Sequence, residues 1–103
     1  MAIMNTYQKG SVRTIIFKEK DVWVGVALEF NLVETGDDPR EVFLMLDEAI
    51  RGYLISGKKA KVRASILNQV SDSEYEDLWK KLTSPKPVKS PYQIYSFGER
   101  MIA

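Results

Sequence analysis

The chain has 103 residues, of which 15 are Lys or Arg and 14 are Asp or Glu, so its formal net charge is +1. This length predicts one domain with a single modest core, because domains cluster near about 100–150 residues. The chain holds no Cys and no His, which excludes disulfides, thiolate nucleophiles, imidazole bases and the usual zinc sites, and its near-neutral charge lacks the strong positive field of sequence-independent nucleic-acid binding.

The first ten residues carry no recognisable targeting signal. They lack a basic start, a long apolar run and a small-residue cleavage site. No stretch of the chain approaches the length of a membrane span, about 18 apolar residues. We therefore expect a cytoplasmic protein with no membrane partner.

Residues 11–18 predict the first strand, because β-branched and aromatic residues dominate. Both faces of this strand are largely apolar, which indicates an inner strand. The polar triplet 19–21 is short enough for a hairpin loop, so antiparallel pairing with a second strand over residues 22–30 is expected. Alternation along the second strand predicts one core-facing set, Val22, Val24, Val26, Leu28 and Phe30.

A short third strand over residues 32–35 is followed by turn-forming residues that also begin a helix. Asp38 is placed to accept from the free amides of the first turn, Pro39 suits the first helical position, and Glu41 favours the positive end of the helix dipole. The predicted helix spans residues 39–55 and ends at Ser56-Gly57. Its apolar stripe comprises Val42, Phe43, Leu46, Ala49, Ile50, Tyr53 and Leu54.

Residues 58–70 fit either a helix or a strand, with helix favoured. The segment Ser71-Asp72-Ser73-Glu74 matches a capping box and predicts a further helix. The buried stripe of that helix would hold Tyr75, Leu78, Trp79 and Leu82, and its outer face would carry the i, i+4 pairs Glu76 with Lys80 and Asp77 with Lys81.

Three prolines between residues 83 and 91 predict an extended segment on the surface. Tyr92, Ile94, Tyr95 and Phe97 are too apolar for a disordered tail, so the C-terminus is expected to dock as a strand or in a groove. The predicted fold class is therefore α+β: a three-stranded antiparallel sheet with one helix on one face (β-β-β-α), then one or two further helices and an extended Pro-rich C-terminal segment.

The stretch from Val22 to Glu41, VWVGVALEFNLVETGDDPRE, resembles the N-terminal domain of HicB-type antitoxins. That family combines a strand, an apolar and acidic segment, a brief strand, a Gly-Asp turn and a capped helix. The resemblance covers roughly residues 11–57 and implies a partial ribonuclease-H-like fold that binds and inhibits a small mRNA-cleaving toxin. The resemblance implies that residues 1–103 form a single HicB-like domain, with a core at 11–57 and an extension at 58–103. Because this extension shows no helix-turn-helix or ribbon-helix-helix pattern, the chain is similar to the short stand-alone members.

The carboxylates do not match those of a ribonuclease-H-like enzyme, which usually holds one metal ligand on its first strand. The first strand here has none. We therefore expect a protein that is not an enzyme, with no catalytic residue, metal or cofactor.

Three functions remain open. The first is a protein-interaction module, resembling an antitoxin, that binds a small toxin protein. The second is a nucleic-acid-binding domain that uses a basic run as a phosphate or acidic-partner contact: Lys58, Lys59, Lys61 and Arg63. The third is a structural homo-oligomer, because the edges of a small sheet often pair across a two-fold axis.

Overall fold

The computed structural model describes residues 4–86 and 89–102. In this part of the chain, strands β1 (Ser11–Glu19), β2 (Val22–Ala27), β3 (Leu32–Gly36) and β4 (Gln93–Met101) form one antiparallel sheet in the order β3-β2-β1-β4. Two α-helices, α1 (Pro39–Lys59) and α2 (Ser73–Leu82), accompany 3₁₀-helices at Leu28–Phe30 and Ala64–Leu67. The predicted α+β class is confirmed.

The expected three-stranded sheet is wrong, because β4 adds a fourth strand. β4 pairs with β1 from Ser11↔Met101 to Lys18↔Gln93. The apolar C-terminal residues thus dock as a strand, and β1 lies between β2 and β4, as its two apolar faces predicted. The described residues between α2 and β4 form neither helix nor strand; Pro87 and Val88, within the predicted extended segment, lie outside the described residues.

The expected single core is also wrong, because helices cover both faces of the sheet. On one face Val12 and Ala27 pack with Leu46 and Ile50 of α1. On the other face the core cluster contains Ile15, Phe17, Val24, Val26, Leu28 and Leu78. β2 is consequently buried on both faces between Val24 and Ala27, while Val22 is 41% exposed instead of core-facing.

β2 ends earlier than predicted, at Ala27. The chain turns there into the 3₁₀-helix Leu28–Phe30, which Asn31 ends in the left-handed region at φ 54°. Leu28 and Phe30 still reach the interior, so their predicted burial is confirmed.

α1 begins as predicted and ends later than predicted. The Asp38 side chain accepts from the Arg40 amide at 2.8 Å, and Pro39 is the first helical residue. The helix continues through Gly57 to Lys59, because Gly57 serves as a packing position: a Cβ there would lie 2.5 Å from the Tyr7 hydroxyl oxygen.

Residues 58–70 form neither of the two predicted elements. Beyond the end of α1, only the 3₁₀-helix Ala64–Leu67 is regular. Two side-chain hydrogen bonds fix this segment to the N-terminal residues. Asn5 Nδ2 donates to the backbone carbonyl of Leu67 at 2.9 Å, and Asn68 Nδ2 donates to the backbone carbonyl of Asn5 at 2.9 Å.

α2 is present but is capped by Asp72, whose side chain accepts from the Glu74 amide at 2.9 Å, instead of by Ser71. Within residues 4–86 and 89–102, neither helix combines the length and apolarity that a membrane span requires.

Candidate protein-interaction surface

α1 lies close over one half of the sheet because two glycines lie beneath it. A Cβ on Gly25 would approach Val42 Cγ1 to 2.8 Å, and a Cβ on Gly36 would approach Val42 Cγ2 to 3.1 Å. These glycines belong to β2 and β3, so α1 packs mainly on that half of the sheet.

On the same face, β4 and the neighbouring Thr14 of β1 are left partly open beside α1, whereas Val12 and Ile16 of β1 are buried. Thr14, Ile16, Ser96 and Gly98 form the floor of this opening. The wall comes from α1: Phe43, Leu46, Asp47 and Ile50. Together they enclose a groove of about 260 Å³, which we call the open groove. Gly98 has nothing within 4 Å of the place where a Cβ would stand, in contrast to Gly25.

The position of the open groove follows from the spacing of strands and helices. Neighbouring strands lie about 4.8 Å apart and packed helices about 8–10 Å apart, so one helix covers about two strands. With α1 over β2 and β3, and with Val12 and Ile16 of β1 already buried, the room left for a partner helix lies over Thr14 and β4. Ser96 has a small side chain and Gly98 has none, so a partner helix can approach β4 closely, as α1 approaches Gly25 and Gly36.

An ion pair crosses the open groove at one end. Arg100 Nε donates to Asp47 Oδ1, and Arg51 donates to Asp47 Oδ2 at 2.8 Å. Arg100, and to a smaller extent Arg51, lower the pKa of the Asp47 carboxyl. Asp47 is therefore ionised at neutral pH and holds β4 to α1 at this end.

Aromatic side chains lie at the other end. Phe43 is 47% exposed and Tyr95 is 48% exposed. Tyr95 packs edge-on against Trp23, with ring centroids 6.2 Å apart, and the Lys18 ammonium lies 5.8 Å from the Trp23 centroid. Trp23 shares the face of Gly25 by strand alternation, so this aromatic surface continues the open groove.

The opposite face of the sheet carries a charged cluster with a structural role. The Arg13 guanidinium makes two bonds to Glu76 of α2, at 2.8 and 2.7 Å, and a third to Glu29 at 2.6 Å. Arg13 lowers the pKa of Glu76. The predicted surface pairing of Glu76 with Lys80 is replaced by this contact, which joins α2 to the sheet.

The four predicted basic contact residues occupy one exposed turn. Lys58 and Lys59 end α1, and Lys61 and Arg63 follow it; all four side chains are exposed. Cations at this position stabilise the negative end of the helix dipole. The first of them, Lys58, lies eight residues along α1 beyond Ile50, the last groove residue on this helix, which is about 12 Å by helical rise, so the two features are separate.

Among residues 4–86 and 89–102, no three His, Cys, Asp or Glu side chains are grouped so as to hold a metal ion. Glu29 is bound to Arg13, and Asp38 caps α1.

Sequence reasoning missed the open groove. Its signal was present in Ser96 and Gly98, two small residues at alternate positions of a strand, which leave one face of that strand without bulk. Comparison with protein-family models, with curated proteins and with solved structures found no match to this chain.

Proposed function

We propose that this chain is a non-catalytic protein-interaction module that takes an amphipathic helix of a partner protein into the open groove. The observation that carries the proposal is the open groove beside α1, whose exposed floor is formed by β4 and Thr14 of β1. Apolar helix faces bind grooves of this kind through residues spaced three and four apart.

The chemistry of the open groove defines the partner. Phe43 offers exposed apolar contact, Ile16 and Ile50 lie beneath the surface at 1% exposure, and Ser96 and Gly98 allow the partner's backbone to approach closely. Among the described residues, the charged side chains that line the groove are Asp47 and Arg100, which neutralise each other, and Glu99 at its rim. An apolar helix face flanked by polar residues fits this lining.

The resemblance of residues 22–41 to HicB-type antitoxins supplies the identity of the partner within this proposal. The partner is then a small mRNA-cleaving toxin, which the chain inhibits by binding.

The test uses the full chain as bait in an extract of its native host. The captured protein is identified, produced separately, titrated against the chain by calorimetry, and assayed for RNA cleavage with and without the chain. We expect a small protein whose RNA cleavage stops when the chain is added.

Two variants locate the binding surface. Gly98→Leu places a side chain in the open groove at a position where an added Cβ has nothing within 4 Å. Gly52→Leu is the matched control, because Gly52 also has nothing within 4 Å of an added Cβ but faces away from the groove on α1. We expect Gly98→Leu to weaken binding at least tenfold and Gly52→Leu to leave it unchanged. Equal affinity of the two variants would refute the groove as the binding surface.

The nucleic-acid alternative makes a different prediction. If the four basic residues are only solvated cations at a helix end, binding to RNA or DNA is weak and is lost between about 50 and 200 mM salt. Tight, salt-resistant binding to a defined sequence, abolished by changing Lys58, Lys59, Lys61 and Arg63 to Gln together, would favour the alternative.

A further inference from the structure

The two edges of the sheet are unequal. β3 has five residues and includes Glu34, whereas β4 has nine residues and no Lys or Pro. Lysines and prolines are common protections of an edge strand against pairing with another chain. The arginine of β4, Arg100, is held by Asp47 of α1. β4 is thus the long and weakly protected edge.

The backbone of β4 has a defined direction toward solvent. The Ile102 amide donates to the Gly10 carbonyl at 3.0 Å, so residue 102 faces β1. The direction alternates along an antiparallel strand, with both polar groups of a residue on the same side. Phe97 and Glu99 therefore direct their N–H and C=O groups away from the sheet. A bulge at Tyr95 precedes this segment and leaves residues 96–101 in regular register with β1.

Side chains beside these backbone groups are apolar and exposed. Phe97 is 46% exposed and Met101 is 65% exposed. Phe97 packs edge-on against Trp79 of α2, with ring centroids 6.2 Å apart, so one side of its ring is supported and the other is open.

We propose that two copies of this chain pair β4 with β4 in antiparallel orientation around a two-fold axis at Phe97, which joins two four-stranded sheets into one. The occupant is a second copy because β4 provides both halves of a self-complementary contact, as an isologous interface requires. Each Phe97 then covers the open side of the other, flanked by Trp79 of its own chain.

The side chains select this register from its neighbours. An axis at Glu99 would place two carboxylates opposite each other, which is unfavourable. An axis at Gly98 would place each Phe97 against a Glu99 carboxylate. An axis at Phe97 places ring against ring and sets Glu99 opposite the bulge at Tyr95, whose side chain lies with Trp23 on the α1 face, so it is the one of the three that avoids both problems.

The paired arrangement also extends the open groove. With Phe97 on the axis, Ser96 of each copy lies opposite Gly98 of the other on the α1 face of the sheet. The floors of the two grooves then meet across the axis. The pairing itself does not depend on the proposed function, because a partner helix and a second copy occupy different parts of β4.

Cysteine cross-linking tests the pairing directly, since the natural chain has no cysteine. Phe97→Cys places one thiol on the proposed axis, where opposite Cα atoms lie about 5.5 Å apart, within the range of a disulfide. Val33→Cys on β3 is the matched control, because Val33 has the same exposed fraction as Phe97, 46%, at the other edge. Circular dichroism verifies that both variants are folded.

We expect mild oxidation to convert Phe97→Cys to a disulfide-linked dimer and to leave Val33→Cys monomeric on a denaturing gel. Sedimentation of the unmodified chain at micromolar concentration should give twice the monomer mass. A monomer by sedimentation, or cross-linking of Val33→Cys as complete as that of Phe97→Cys, would overturn the pairing. Neither result bears on whether Gly98→Leu blocks a partner helix.

Discussion

Replacing Gly25 by Ala tests the close packing of α1 on the sheet. The new methyl group would lie 2.8 Å from Val42 Cγ1, 3.4 Å from Leu46 Cδ2 and 3.6 Å from Ile16 Cγ1. Val42 cannot turn away easily, because a β-branched residue in a helix has one strongly preferred rotamer. α1 must therefore shift away from β2.

The expected cost follows from two opposed effects. Overpacking of a core costs about 1–3 kcal/mol, and Ala is more favourable than Gly inside a strand by about 0.5–1 kcal/mol. We expect Gly25→Ala to lower the free energy of unfolding by about 1 kcal/mol, near the middle of the range of about 0–2.5 kcal/mol that the difference between these effects gives.

Urea unfolding, followed by circular dichroism and tryptophan fluorescence, measures this change if the transition is two-state. Gly98→Ala is the matched control, since it makes the same substitution on the same face where no atom lies within 4 Å; its stability should be unchanged or higher. Val42→Ala, which removes the clashing methyl groups, should restore part of the stability of Gly25→Ala when the two are combined. Equal stabilities of Gly25→Ala and Gly98→Ala would refute the proposed close contact.

Three further changes test the core and the polar contacts. Leu46→Ala should cost about 2–5 kcal/mol, because Leu46 is only 2% exposed; a thermal midpoint equal to that of the unmodified chain would show that the stripe is not buried. Arg13 lowers the pKa of Glu76 in the folded state. The ionised Glu76 therefore stabilises the fold above the ordinary Glu pKa, and this stabilisation is lost as the pH falls through the lowered pKa. Glu76→Gln should flatten the acid side of the plot of unfolding free energy against pH, measured by urea unfolding. Asn5→Ala should cost about 1–3 kcal/mol, since it leaves the Ser11 amide and the Leu67 carbonyl without their Asn5 partner; an unchanged urea midpoint would contradict that role.

Local signals in the sequence predicted the parts of the fold that depend on neighbouring residues. Asp38 and Pro39 identified the start of α1, because capping involves atoms within one turn of the helix. Spacings of three and four residues identified Val42, Leu46 and Ile50 as buried. The two apolar faces of β1 correctly indicated an inner strand.

Contacts between residues distant in the chain were not predictable in this way. Arg13 and Glu76 are 63 residues apart, and an i, i+4 rule assigned Glu76 to Lys80 instead. Likewise, α1 continues beyond its predicted end at Ser56-Gly57, where Gly57 packs against Tyr7, a residue 50 positions away in the chain.

The sequence by itself therefore determined the α+β class, the first three strands in outline, the start of α1 and the burial of Val42, Leu46 and Ile50. Only the tertiary structure decided that β4 joins the sheet beside β1, where Val12 pairs with Arg100. The physical reason is that capping and periodicity act within a few residues, whereas strand pairing depends on which distant segments jointly bury their apolar faces and satisfy their backbone hydrogen bonds. The placement of β4 creates both the open groove and the exposed edge, so the proposed binding surfaces arise from this long-range pairing.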